Sequence, residues 1–251
     1  MTTTAPPAPS VALRADSLRR TALAVGVLFV ITYITSIAAK FVFYAPVLDN
    51  PDYILVGGAD STVLWGTVSE LVLIIANIGT AVLLFPVLKR WHEGLALGFV
   101  AARVMESAFI AVGVLSMLTI VTLSQDYAGT AGVETGALAT VGDALVVLQE
   151  WTFNLGPGFV VGVGNGIILG YLMYRSRLVP RGMAWLGLVG GPLLVLSGNA
   201  VVLGIIEAGS TWQIAATMPE FFWELSLGIY LIVKGFRPVP LTTGAADAPS
   251  A

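Results

Sequence analysis

Six long apolar runs, separated by short polar turns, constrain the fold of this chain more than any other feature. All but the last exceed the roughly 20 residues that a helix needs to cross the hydrocarbon core of a bilayer. The chain is 57% hydrophobic and 11% charged, whereas a soluble domain has about 25% charged residues. The sequence therefore predicts an all-α integral membrane protein with six transmembrane helices, at roughly Thr21–Phe43, Val63–Leu88, Leu95–Leu123, Val141–Tyr174, Met183–Ile206 and Met218–Phe236.

The positions of the Lys and Arg residues predict the orientation of these spans. Apart from Lys40 and Arg103, they precede the first span or follow the second, fourth and sixth: Arg14, Arg19, Arg20, Lys89, Arg90, Arg175, Arg177, Arg181, Lys234 and Arg237. The other three loops carry only acidic residues: Asp49, Asp52, Asp60, Asp126, Glu134 and Glu207. By the positive-inside rule we expect three hairpins with both termini in the cytoplasm.

The first apolar run has a second interpretation as a signal peptide, because Arg19 and Arg20 precede it and the small residues of "SIAAK" end it. Its apolar stretch is longer than an h-region of about 7–15 residues, so we keep it as a span. The transmembrane domain is then predicted over 18–237. The flanking segments 1–17 and 238–251 are rich in Pro, Ala, Thr and Ser, and we expect them to be disordered cytoplasmic tails.

The sequence contains a weak internal repeat. Seventeen residues separate Asn77 from Gly94, and seventeen separate Asn165 from Gly182. The segments that begin at the two glycines, "GLALGF" and "GMAWLG", are also similar. Duplication and chance similarity between apolar helices both explain this pattern, and the sequence leaves both open.

Polar residues inside the predicted spans fall at two depths when 1.5 Å per residue is counted from the cytoplasmic ends. A midplane layer, at about 14–20 Å by that count, contains Asn77, Arg103, Glu106, Asn165 and Glu224. An outer layer, at about 25–31 Å, contains Lys40, Glu70, Asn154 and Asn199. Ionisable residues in a span usually face the bundle interior or a cavity, so we expect these layers to line the core.

The midplane layer contains one cation and two carboxyl groups. Arg103 and Glu106 are three residues apart and can pair on one helix. Glu224 then needs a partner: either Arg103 bridges both carboxylates through its planar fork, or one glutamate holds a proton that it could carry. In the outer layer, Lys40 and Glu70 are expected to pair between adjacent helices.

Two functions follow from these layers. In the first, the polar core binds or translocates a small solute, a proton or a lipid, through residues Arg103, Glu106, Glu224, Asn77, Asn165, Glu70 and Lys40. In the second, the protein is a structural or accessory membrane subunit whose buried polar residues only specify helix packing. Several polar groups at one depth favour the first, because a single ion pair would suffice for packing.

Catalytic and metal chemistry has little support in the sequence. The chain has no Cys, and its single His92 lies in a charged turn, so neither a catalytic triad nor a Cys or His metal site can be built. We therefore predict no cofactor, no metal and no catalytic residue, and an enzyme that uses Glu or Lys ranks third. The net charge of −3 leaves no basic patch for nucleic acid, so the expected partner is the lipid bilayer, with the oligomeric state left open.

The most unusual segment is "NLGPGFVVGVGNGIILGY", Asn154–Tyr171. It lacks the spacing and the Lys of a phosphate-binding loop. Four of its glycines are four residues apart, and such a stripe lets two membrane helices approach closely. We predict a packing surface, with a hinge as the alternative, and expect the fourth span to be the most closely packed. The stripe is Gly158, Gly162, Gly166 and Gly170.

Three stretches resemble a known family: "IGTAVLLFPVLKRWHEGLALGFVAARVMES" (Ile78–Ser107), "GLVGGPLLVLSG" (Gly187–Gly198) and "PEFFWELSLGIYLIVKGFRP" (Pro219–Pro238). Together they resemble the bacterial multi-span membrane proteins known as domain of unknown function 4386, over roughly Ser17 to Pro238. The resemblance implies a prokaryotic integral membrane protein, which we expect in the cytoplasmic (inner) membrane. It implies no activity, substrate or catalytic residue.

Overall fold

The structure is a computed structural model that describes residues 9–50, 52–58, 60–127 and 134–238, with side chains from Ser17 onward. The described residues are helical and form no strand. The α-helices are α1 Pro9–Ala38, α2 Ala45–Leu48, α3 Tyr53–Val56, α4 Asp60–Leu88, α5 Glu93–Tyr127, α6 Thr135–Phe153, α7 Gly170–Ser176, α8 Arg181–Val202 and α9 Thr211–Val233. Wider π-helical turns occur at Ala39–Phe43, Asn154–Val160 and Gly162–Leu169.

Five segments of the described chain are long and apolar enough to cross a membrane: Ser17–Phe43, Asp60–Leu88, Glu93–Tyr127, Thr135–Ser176 and Arg181–Val202. They coincide with the first five predicted spans. Helix α9 has 23 residues, which is also a spanning length. Glu220 and Glu224 lower its hydropathy, and it is not among these five.

The predicted tails remain predictions. Residues 1–8 and 239–251 lie outside the described residues. The backbone of α1 already begins at Pro9, within the segment 1–17 that was assigned to a tail.

The long helices form a closed ring in chain order. Helix α1 packs against α4, α4 against α5, α5 against the α6–α7 segment, that segment against α8, α8 against α9, and α9 against α1. One end of the ring is filled by a large apolar cluster that includes Phe29, Leu84, Phe99 and Trp223. A smaller cluster around Tyr44 and other apolar residues fills the opposite end. The buried charged residues Arg103 and Glu106 lie between these two apolar clusters.

The glycine-rich segment is helical, as predicted, but its hydrogen bonds differ from those of an α-helix. Through Asn154–Val160 and Gly162–Leu169 the turns are π-helical, with bonds from residue i+5 to residue i. The N–H of Val161, for example, donates to the Gly156 carbonyl. Pro157 has no N–H to close a regular turn, and glycines offer no side chains that resist a wider one. The backbone of this segment therefore adapts to the helices packed against it and departs from ideal α-helical geometry.

Three glycines of the predicted stripe lie directly against α8, which confirms that the stripe is a packing surface. A Cβ atom on Gly162 would lie 2.8 Å from the Gly191 carbonyl oxygen. Gly166 faces the Gly191 Cα, and a Cβ on Gly170 would lie 3.2 Å from the Leu188 nitrogen. Gly158 is the exception, because the nearest atom to its Cβ position belongs to its own helix.

This packing predicts a difference between two adjacent members of the stripe. Gly162→Ala should lower the free energy of unfolding by about 1–3 kcal/mol, since the new methyl group overlaps the backbone of α8. Gly158→Ala meets ordinary contacts at 3.5 Å and should change stability little. Denaturant unfolding of both purified variants in detergent tests this. An equal loss in both would mean that helix contact at Gly162 is not the cause.

Candidate functional site

The centre of the ring is built around an ion pair on one helix. On α5, Arg103 Nη1 donates to Glu106 Oε2 at 2.7 Å. The two side chains are 2% and 6% exposed. The pair predicted from their spacing of three residues is therefore formed, and it lies deep within the bundle.

Helix α4 completes the surroundings of this pair. Asn77 Nδ2 donates to Glu106 Oε1 at 3.0 Å, and Arg103 Nε donates to Thr80 Oγ1 at 3.4 Å. The guanidinium also lies 5.6 Å from the centre of the Phe29 ring on α1. The ion pair thus connects three helices. Asn77 lies beside it in the centre of the bundle, which is the depth that the sequence predicted for Asn77.

The second group of central side chains joins the glycine-rich segment to α9. Asn165 Nδ2 donates to Glu224 Oε1, and Trp223 Nε1 donates to the backbone oxygen of Asn165 at 2.9 Å. Asn165 is fully buried, whereas Glu224 is partly exposed. Asn77 and Asn165, which correspond in the weak sequence repeat, therefore each donate to a glutamate.

Glu220 is a central carboxyl group that the sequence analysis did not assign to the polar core. It is 2% exposed, and neither of its carboxyl oxygens has a hydrogen-bond partner among the described residues. Its Oε2 lies in a notch between two helices, 2.6 Å and 2.9 Å from the positions that Cβ atoms on Gly166 and Gly190 would occupy. The spacing of four residues from Glu224, on one face of a helix, is the signal that could have identified it.

Arg103 is the basic residue closest in depth to all three carboxyl groups, and its direct salt bridge is with Glu106. Three further buried polar atoms of this region have no hydrogen-bond partner among the described residues: Arg103 Nη2, Asn77 Oδ1 and Asn165 Oδ1. A cluster of one fixed positive charge and three carboxyl groups has zero net charge only when two of the carboxyl groups are protonated. We call Arg103, Glu106, Glu220 and Glu224 the central cluster.

The outer layer does not show the ion pair that was predicted between Lys40 and Glu70. Lys40 and Glu70 form no salt bridge among the described residues. The Tyr44 hydroxyl donates to Glu70 Oε2 at 2.9 Å, and the Lys40 ammonium lies 4.8 Å from the centre of the Phe153 ring. Lys40 lies in the π-helical turn at Ala39–Phe43, which the sequence did not reveal.

Two other asparagines of the outer layer do not face the central cluster. Asn154 donates to the Glu150 carbonyl and accepts from Gln213, and Asn199 is exposed. Instead Gln149, a residue not singled out from the sequence, is buried close to Glu70. Among the described residues there is no group of three or more acidic or His side chains that could hold a metal.

An all-helical bundle whose described residues include five segments long and apolar enough to cross a membrane, with charged groups in its interior, indicates an integral membrane protein. The chain belongs to the family described as Domain of unknown function (DUF4386), whose profile matches residues 24–235. This family is the one that the three stretches resemble, and the match covers all five segments almost completely. No curated protein and no solved structure matches the chain.

The central ion pair makes stability depend on the balance of charge. Arg103→Ala should lower the free energy of unfolding by about 3–5 kcal/mol, because it leaves Glu106 buried without its cation. The double variant Arg103→Met with Glu106→Gln removes both charges and should recover much of this loss. Unfolding in detergent measures both changes. A double variant as unstable as Arg103→Ala would contradict the charge explanation.

Proposed function

We propose that the protein crosses the membrane six times, with both termini in the cytoplasm, and that α9 is the sixth span. Its length and its packing between α1 and α8 support this. The basic residues also lie together at one end, where Arg19 donates to the carbonyls of Leu231 and Ile232 at 3.0 Å and 2.7 Å. At the same end Arg237 N donates to the Leu178 carbonyl at 2.8 Å. We call this the basic end and the opposite one the acidic end.

The absence of Cys makes this topology directly measurable. Single substitutions His92→Cys and Glu207→Cys place one thiol in a turn at each end of the bundle. In intact bacterial cells a membrane-impermeant maleimide should label Glu207→Cys, whereas His92→Cys should react only after the cells are opened. Labelling of both, or the reverse pattern, would contradict the proposed orientation.

We further propose that the polar core binds protons and moves them across part of the membrane. The observation that carries this is the excess of carboxyl groups over cations in the central cluster. Each ionised carboxylate beyond the first lacks a compensating charge in a medium where isolated charges are costly. A change between the ionised and protonated forms is the chemistry that this composition favours.

A proton suits this site better than a solute or a lipid headgroup because the side chains are tightly packed. Arg103, Glu106 and Glu220 are all buried. The Glu220 carboxyl lies so close to Gly166 and Gly190 that even an added methyl group would overlap it. A proton needs only a carboxyl oxygen, and the partial exposure of Glu224 gives the cluster a contact with its surroundings.

The same tight packing also favours the second function, a structural membrane subunit. The two differ in one measurable property. In a proton-binding protein the carboxyl groups change protonation within an accessible pH range, whereas in a purely structural cluster they keep one form.

Infrared spectroscopy of the protein in lipid nanodiscs measures this property, because protonated and ionised carboxyl groups absorb differently. As the pH falls from about 9 to about 4, the central cluster should take up protons. Glu220→Gln and Glu224→Gln should each remove part of this carboxyl signal. Glu93→Gln, an exposed residue at the start of α5, should not alter the signal of the cluster.

Proton uptake provides the second measurement. In a weakly buffered solution with a pH dye, wild-type protein in nanodiscs should take up more protons over the same fall in pH than Glu224→Gln or Glu220→Gln. Carboxyl signals that do not change with pH, together with equal uptake in all variants, would refute proton binding and leave the structural subunit.

A further inference from the structure

A small cavity lies beside Glu70, where α1, α4, α5 and the fourth span meet. Its volume is about 10 Å³, close to the least space that holds one water molecule. The polar side chains of its lining come from three helices: Ser36 on α1, Glu70 on α4, and Gln149 and Thr152 on α6. The cavity therefore has room for one small ion or one water molecule, but not for a larger ligand.

Gln149 is the feature that marks this cavity as a binding site. It is 2% exposed, and its Oε1 atom has no hydrogen-bond partner among the described residues. A buried acceptor without a partner is destabilising. Gly113 on α5 forms part of the wall, and a side chain there would meet Thr152 Oγ1, since a Cβ atom would lie 2.8 Å from it. The cavity thus brings an unused acceptor close to the carboxyl group of Glu70.

The polar lining offers mainly acceptors. Thr152 Oγ1 donates its proton to the backbone oxygen of Gln149 at 2.7 Å, so only its lone pairs remain for a ligand. The Gln149 amide oxygen and the Glu70 carboxylate are acceptors as well. Hard metal cations are bound in proteins by carboxylate and amide oxygens of this kind. The lining therefore has the composition of a cation site, with one carboxylate and several neutral oxygen atoms.

The charges around the cavity favour a cation over a water molecule. The Tyr44 hydroxyl donates to Glu70 Oε2 at 2.9 Å, which leaves Glu70 Oε1 for another partner. The Lys40 ammonium lies 4.8 Å from the centre of the Phe153 ring and forms no salt bridge with Glu70 among the described residues. A water molecule would satisfy Gln149 but would leave the Glu70 carboxylate without a direct counter-charge, and a buried charge of that kind is costly.

We propose that this cavity binds one Na⁺ ion, which is held by the Glu70 carboxylate, by Gln149 Oε1 and by the hydroxyl groups of Ser36 and Thr152. A single carboxylate balances a single positive charge, so a monovalent ion fits better than Ca²⁺, which takes about 6–8 oxygen ligands. A metal was not predicted from the sequence because Cys and multiple His ligands are absent, whereas this site uses only oxygen atoms.

The site is separate from the central cluster. The apolar side chains of Leu73, Ile110 and Val114 lie between them, and Glu70 is seven residues from Asn77 on α4, about 10 Å along the helix axis. The site is therefore nearer the acidic end, where surface carboxylates raise the local concentration of cations. These include Asp49, Asp52, Asp60 and Asp126. Binding of Na⁺ at this site does not depend on proton binding by the central cluster.

Thermal unfolding of the purified protein in detergent tests the site. Choline chloride holds the ionic strength constant, since choline is too large for the cavity. Replacing choline with saturating Na⁺ should raise the unfolding temperature of the wild type by about 2–4 °C, because an ion that binds only the folded protein stabilises it. Glu70→Gln removes the charge and Gln149→Leu removes the unused acceptor, so each variant should lose this shift.

Glu150→Gln is the matched control, because this exposed carboxyl group on α6 adjoins Gln149 in sequence and lies outside the cavity. It should keep the shift, as should Gln149→Glu, which retains an oxygen ligand at the same position. Equilibrium dialysis with radioactive Na⁺ measures binding directly and covers a variant that unfolds too early. A wild type that neither shifts nor binds Na⁺ would refute the site. A shift that persists in both Glu70→Gln and Gln149→Leu would place the ion elsewhere and overturn the proposal.

Discussion

The guanidinium of Arg103 is a positive charge that cannot be discharged inside an apolar bundle, and the interior is organised around it. Arg does not lose its proton in proteins, so the charge must be compensated where it lies. Glu106 supplies the direct contact, while on α4 Asn77 donates to Glu106 and Thr80 accepts from Arg103. Polar atoms in this region are therefore not independent features. Helix α4 contributes polar groups and α1 an aromatic ring to its surroundings.

Close approach of backbones is the second condition for this arrangement. The notch that holds the Glu220 carboxyl exists because Gly166 and Gly190 have no side chains. On the next turn, Gly162 lies against the Gly191 carbonyl, so neighbouring glycines of the same two helices set both the separation of the helices and the space for the carboxyl group. One contact between two helices thus serves both their packing and the placement of a buried carboxyl group.

Much of this fold follows from the sequence, because lipid imposes simple rules on length, hydropathy and charge. The Arg103–Glu106 pair was predictable because both residues lie on one helix, where spacing fixes geometry. Contacts between helices depend on how each helix is rotated, which local spacing does not determine. The predicted pairing of Lys40 with Glu70 failed for that reason, and Tyr44 donates to Glu70 instead. Glu220 was left out although its spacing of four residues from Glu224 was available in the sequence. The π-helical turns were hidden because they arise from tertiary packing.

The ring order of the helices has a consequence for biogenesis. Every major contact joins helices that follow one another along the chain, except the closure between α1 and α9. Each helix can therefore dock on its predecessor as synthesis proceeds, with little entropy spent on distant contacts. The last helix is also the one in which two glutamates reduce hydropathy. If α9 is the sixth span, as we propose, a preformed arc of five helices that already presents Asn165 to Glu224 aids its insertion into the bilayer.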